Sequence, residues 1–198
     1  MLDVRFVSSV AVSDEEALLG IMRLYAPLGF DADVTYSTGR FYRGSVPQPL
    51  HKFDIAPQIE GVLAADCRRL PVPGNSWSAM VCDLPFIHAP GKKSIIGNRF
   101  KGFKSQAELR SVYQDAMFEF YRVLAPNGVV AWKCQDIVES GKQNWTHCWL
   151  WLWATEIGFY PLDQIVVIGG GRKIVGHNHK RQVHARRGHC VWWEFRKP

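Results

Sequence analysis

Apolar positions along the chain fall into short runs separated by longer segments with helical spacing. Residues 4–12 are apolar and β-rich, which predicts a short strand. Ser13 then precedes Asp14, Glu15 and Glu16, a capping oxygen and three negative charges suited to the positive end of a helix dipole. Ala17, Leu18, Ile21, Leu24 and Tyr25 recur at helical spacing, and Pro27 and Gly29 end the helix. Residues 30–36 read as a strand ending at Ser37-Thr38-Gly39, with a second helix or turn after it. Three further short strands are predicted over residues 51–55, 61–65 and 78–82. Residues 106–124 form a long helix with Leu109, Val112, Ala116, Phe120 and Val123 on one stripe. Pro126-Asn127-Gly128 turns that helix into a fifth strand at 129–132. A Trp-rich helix over 145–157 and two last strands, 164–168 and 189–195, complete the pattern.

Strands alternating with helices predict an α/β protein with a mostly parallel sheet and ligands at the strand C-termini. The last two strands lack an intervening helix, so they are expected to form an antiparallel hairpin at one edge. At 198 residues and 47% hydrophobic content, with eight Trp, the expectation is one domain with a substantial core. No separate target-recognition domain is expected. The longest apolar stretch, residues 148–154, is far too short to span a membrane, and the first twenty residues carry Asp3, Asp14, Glu15 and Glu16 without a secretory pattern. Cys67, Cys82, Cys134, Cys148 and Cys190 are odd in number and form no C-x-x-C pair, which suits a reducing cytoplasm.

Four acids, Asp33, Asp54, Asp66 and Asp83, stand at or near the ends of four consecutive predicted strands. Any one of them is explained as an ordinary loop acid capping a helix; four in phase with four strands fit a nucleoside-bearing cofactor better. An acid about 20 residues beyond the first turn accepts hydrogen bonds from ribose hydroxyls in such folds, and Asp33 to Asp54 has that spacing. The first turn, Thr35-Tyr36-Ser37-Thr38-Gly39, holds one glycine and no pyrophosphate cradle. A cofactor without phosphates is therefore favoured over NAD.

Asp83-Leu84-Pro85-Phe86 closes a buried strand with an acid, a stiff turn and an aromatic ring. Asp and Pro are common turn residues, so a simple β-turn also accounts for it. As a site, it suits a flat substrate bearing an amino group. The Asp83 carboxylate and the Leu84 carbonyl can accept the two N–H bonds, freeing the nitrogen lone pair for attack on a methyl group. Phe86 can stack on the base, and a base in a duplex must first be flipped out.

These segments resemble the amino-methyltransferases that modify DNA bases, whose motif is [D/N/S]-P-P-[Y/F/W]; Asp83, Pro85 and Phe86 match it. D-V-T-Y-S-T-G, A-A-D-C-R-R-L-P, the segment at 121–136 and the tail at 182–195 resemble small phage and prophage members. The resemblance implies a Rossmann-like S-adenosylmethionine-dependent methyltransferase fold ending in a β-hairpin. It implies methionine-end contacts near Asp33, Thr35, Tyr36, Ser37 and Gly39, ribose at Asp54, adenine at Asp66, and catalysis at Asp83 to Phe86. Leu84 stands where the family has its first proline, and the first turn lacks a second glycine. Adenine and cytosine both remain open as the target.

The net charge of +6 favours a polyanionic partner, and it is concentrated in two segments. Lys92, Lys93, Arg99, Lys101 and Lys104, interleaved with Phe100 and Phe103, are read as a substrate loop for DNA. Arg172, Lys173, Lys180, Arg181, Arg186 and Arg187, between the last two strands, are read as DNA backbone contacts; for the first segment the alternative is a solvated surface loop. His177, His179, His184 and His189 match no zinc spacing, so no metal is expected. Trp145, Trp149, Trp151 and Trp153 exceed what one buried stripe requires, which makes a homodimer an expectation. Lys133 and Asp136, at the end of the fifth strand, face either the substrate or the surface. The competing functions are an RNA or protein amide methyltransferase, a non-catalytic nucleic-acid-binding protein on the same fold, and a NAD-dependent reductase.

Overall fold

The computed structural model describes residues 6–86, 103, 105–139, 141–169, 183–185 and 187–198. Ten strands and three α-helices occur among them: β1 (Val10–Ala11), α1 (Asp14–Tyr25), β2 (Ala32–Asp33), β3 (His51–Asp54), β4 (Leu63–Ala64), β5 (Trp77–Cys82), α2 (Gln106–Val123), β6 (Leu124–Cys134), β7 (Ile137–Glu139), β8 (Lys142–Asn144), α3 (Thr146–Ile157), β9 (Tyr160–Ile168) and β10 (His189–Arg196). A 3₁₀ turn, Arg40–Tyr42, follows β2.

Eight strands make one sheet in the order β1-β9-β10-β6-β5-β2-β3-β4. All neighbours are parallel except that β10 runs antiparallel to both β6 and β9. The chain leaves β2 toward β3 on one side and returns as β5 on the other. That reversal opens a crevice at the C-terminal ends of β2 and β5, where α/β sheets bind ligands.

Alternation along the central strands assigns each face its own core. Met80 and Cys82 of β5 and Val130, Trp132 and Cys134 of β6 meet Leu109, Tyr113 and Phe120 of α2 and Leu150 and Trp153 of α3. Ala79, Val81 and Ala131 face the other way, onto Leu18 and Ile21 of α1 and onto Tyr42. Helix α1 starts as its sequence dictates: Ser13 Oγ accepts the Glu16 N–H at 3.1 Å, and the Glu16 carboxylate reaches back to the Val12 N–H at 2.8 Å. Ser105 caps α2 in the same way, accepting the Glu108 N–H at 3.2 Å.

Several boundaries differ from the pattern-based expectation. The strand expected over 30–36 is only Ala32–Asp33, because the Asp33 carboxylate folds back to accept the Thr35 N–H at 2.8 Å and turns the chain out of the sheet. The first expected strand is reduced to Val10–Ala11. Strand β9 is longer than expected: it starts at Tyr160 and carries Pro161, with a register shift opposite it at Glu194/Phe195. The small hairpin β7–β8 has no counterpart in the predicted elements. Among the described residues no helix is long and apolar enough to cross a membrane.

Candidate active site

The crevice at the switch point is a cleft of about 210 Å³, far more than the ~10–15 Å³ one water needs. Thr35 and Ser37 line it from the turn after β2, Asp54 and Ile55 from the end of β3, and Asp66 to Arg68 from the turn after β4. Asp83, Leu84 and Pro85 line it from the end of β5, and Phe103, Glu108 and Val112 close it from the α2 side. The structure thus brings together Thr35, Ser37, Asp54, Asp66, Asp83, Leu84 and Pro85 from the residues singled out in the sequence. Asp33, Tyr36, Gly39 and Phe86 are not part of its lining.

Asp33 sits beneath the floor at 1% exposure. Its carboxylate accepts the Thr35 N–H at 2.8 Å, the Thr35 hydroxyl at 3.2 Å and the Tyr42 hydroxyl at 2.8 Å. Burial pushes Asp33 up to about 7, against the pull of those donors. The Thr35 hydroxyl in turn accepts the backbone N–H of Asp83 at 2.7 Å. One side chain therefore ties the turn after β2 to the turn after β5. Tyr36 stacks on Tyr42 with ring centroids 5.4 Å apart. Gly39 has φ 65°, and a Cβ there would run into the Tyr36 ring, so the turn requires glycine.

Asp54 occupies the end of β3. One oxygen accepts the Ser37 N–H at 2.9 Å and the other the Ala56 N–H at 2.8 Å, leaving lone pairs on both for a ligand's hydroxyls. Asp66 is differently placed. The Arg68 guanidinium grips it through Nε at 2.9 and 3.0 Å, and this hydrogen-bonded pairing holds the Asp66 carboxyl below its ordinary value. Cys67, between them, is pushed up to about 12 by burial, an unreactive thiol in the cleft wall.

Asp83 keeps 25% side-chain exposure toward the cleft. Burial pushes its carboxyl up to about 6; Lys133 opposes that rise and Asp14 adds to it. The Leu84 carbonyl accepts from the Tyr113 hydroxyl at 3.2 Å, and the Pro85 carbonyl from the same hydroxyl at 3.4 Å. Tyr113 is fully buried on α2. Its role escapes sequence reasoning, although it lies four residues from Leu109 on the buried stripe. Val112, expected on the buried stripe, packs partly buried against the core and also lines the cleft.

Of the described lining residues, Asp54, Asp66, Asp83 and Glu108 are acidic, and Arg68 alone is basic. A pyrophosphate would meet mostly like charge here; a cationic ligand with a diol would not. That donor set suits S-adenosylmethionine: Asp54 could accept from its hydroxyls, Ile55 and Val112 offer an apolar wall, and the carboxylates would favour a positively charged sulfur. The bond between Asp66 and Arg68 leaves Asp66 less free than Asp54 to accept from an adenine amino group.

Of the basic residues assigned to DNA, Lys92, Lys93, Arg99, Lys101, Lys104, Arg172, Lys173, Lys180, Arg181 and Arg186 lie outside the described residues. Arg187 is described, and its guanidinium covers the Trp145 ring at 4.5 Å. His184 approaches the Gly141 carbonyl at 2.8 Å. Among the described residues no cluster of three metal-binding side chains occurs. The Trp-rich helix α3 divides its rings: Trp153 is buried and stacks on Trp149, while Trp151 is 44% exposed. Asp136 is buried, and its carboxylate bonds the His147 ring at 2.8 Å, so it faces the start of α3.

No protein-family model matches the sequence, and no curated protein matches it. Among solved structures, the chain is similar to the [4+2]-cyclase SpnF, at 14% identity and a TM-score of 0.55, over 93% of this chain and 81% of that one. It is similar to a candidate methyltransferase from Bacillus halodurans, at 16% identity and a TM-score of 0.52, over 91% of this chain and 98% of that one. A candidate DNA modification methylase from Thermus thermophilus is also similar, at 16% identity and a TM-score of 0.49. That match covers 75% of this chain and 54% of the other, so the chain spans about half that protein's length. At these identities the likeness establishes architecture: the chain has the mostly parallel, Rossmann-like fold of S-adenosylmethionine-dependent methyltransferases, with its antiparallel hairpin β9–β10.

Proposed function

We propose that the chain is an S-adenosylmethionine-dependent methyltransferase acting on the exocyclic amino group of adenine or cytosine in DNA. The observation that carries the reading is the turn after β5, where Asp83 and Leu84 line one cleft with Asp54. The cofactor would supply an electrophilic methyl group on a positively charged sulfur.

The residues of this chain would do the rest. An amino nitrogen conjugated with its ring is a poor nucleophile. Accepting its two N–H bonds at Asp83 and at the Leu84 carbonyl draws it toward tetrahedral geometry and frees its lone pair. The Leu84 carbonyl already accepts from Tyr113, and a carbonyl oxygen has two lone pairs, so one remains for the substrate. As the N–C bond forms, the bond from the methyl to sulfur would break to leave a neutral thioether, and the nitrogen would shed a proton, which Asp83 would take. Thr35 fixes the Asp83 backbone during these events. Phe86, half-buried just beyond the cleft, supplies a ring for the flipped base.

The test is transfer of an isotopically labelled methyl group to DNA, RNA and protein offered separately, with mass spectrometry of the recovered nucleosides. The expected product is N6-methyladenine or N4-methylcytosine in DNA, lost on Asp83→Ala. Label in RNA or protein alone, or none in any substrate, overturns the reading.

A further inference from the structure

Lys133 is a charged residue inside the sheet, at 8% exposure near the end of β6. Burying an ammonium is costly unless it is paired. Its Nζ lies 2.8 Å from Asp14 of α1 and 3.8 Å from Asp83. Two aromatic faces flank it, Phe41 at 5.1 Å and Trp192 at 5.8 Å. Asp14 is itself held, its other oxygen accepting the Trp192 indole N–H at 3.0 Å. Asp14, Phe41, Trp192 and Asp83 thus surround the cation together.

We propose that Lys133 is a positioning residue for the methyl transfer: its ammonium, shared with Asp14, holds Asp83 as an ionised, accept-only group at the cleft. The inference rests on the reading of Asp83 as the acceptor of the substrate amino group. A protonated carboxyl would offer an O–H where that group needs an acceptor. Asp83 is close to that fate, because burial favours its neutral form and Lys133 is the group opposing it. The other ionisable neighbours do not substitute for Lys133. Asp14 is an acid whose charge favours protonation of Asp83, and Asp33 is itself pushed up by burial and by the Asp83 charge. Tyr42 and Tyr113, and the thiols of Cys82, Cys134 and Cys190, are all raised by burial and stay neutral.

Two substitutions push in opposite directions. Lys133→Met removes the cation, so the Asp83 carboxyl should titrate higher by about one pH unit or more. Asp14→Asn removes the competing anion and leaves Lys133 to Asp83, so the same titration should move lower. Lys133→Arg should return it toward the wild-type position. The readouts are the carbon-13 shift of the Asp83 carboxyl against pH and the acid limb of kcat/KM for methyl transfer to DNA. An Asp83 titration unmoved by these substitutions overturns the inference. Should Lys133→Met not fold, an Asp14→Asn titration that stays in place or rises overturns it equally. A wild-type protein that transfers no methyl group to DNA defeats the proposed function instead, while the carboxyl titration still decides the role of Lys133.

Discussion

Two side chains carry consequences that no motif announces. Glu194 of β10 is fully buried, and among the described residues neither of its oxygens has a hydrogen-bond partner. Burial, reinforced by Asp163 opposite it on β9, pushes its carboxyl from the ordinary 4.5 to about 9. The folded state therefore keeps a proton that the unfolded chain releases. Its stabilising effect is fully present below pH 4.5 and is lost as pH rises toward 9. Glu194→Gln should match the wild type in urea unfolding near pH 4 and exceed it at pH 7 by on the order of 3 kcal/mol. Thr35 is the second case. Thr35→Val keeps the shape but leaves the Asp83 N–H and one Asp33 lone pair without their partner. The expected cost is about 1–3 kcal/mol of stability. Methyl transfer should fall mainly in kcat, with Thr35→Ser restoring most of it.

At the scale of elements, α2 does more than cover the sheet. Its Tyr113 hydroxyl ties two successive carbonyls of the turn after β5, so the helix fixes the turn that presents Asp83. Tyr113→Phe should fold, lose about 1 kcal/mol in denaturant titration and reduce methyl transfer more than stability alone explains. Helices α1 and α2 are legible from their spacing, α1 also from its Ser13 cap, and α3 from its Trp-rich run; three of the four acids at strand ends mark where the cleft lies. The extents of the strands are not. Asp33 reads as one more strand residue until its carboxylate is seen bonding Thr35 two positions on. Pro161 hides the first half of β9, since a sheet position for proline depends on a neighbouring register shift that no local pattern encodes. The pairing of Tyr113 with Leu84, and of Lys133 with Asp14, spans long stretches of chain, so spacing carries no hint of either.

On the scale of the whole molecule, the net charge of +6 has an electrostatic consequence. Affinity for duplex DNA should fall steeply and linearly in log–log form as salt rises, whichever base is modified. Fluorescence anisotropy with a labelled oligonucleotide across a salt series reads that slope, and salt-independent affinity would contradict a backbone-contacting mode. The sheet also shows how sparingly the fold is built. Between β2 and β5 its parallel connections carry no α-helix, only the 3₁₀ turn, while α2 and α3 cover the same face.

One pairing described above bears on the order of assembly. Strand β1 lies beside β9, with Val10 opposite Val166, and Asp14 just after it meets Lys133 and Trp192. During synthesis, which starts at the amino end, the first strand has no seat until the last third of the chain emerges. Nascent chains arrested before residue 160 should therefore bind ligand poorly and expose residues 6–25 to protease, becoming resistant only on completion.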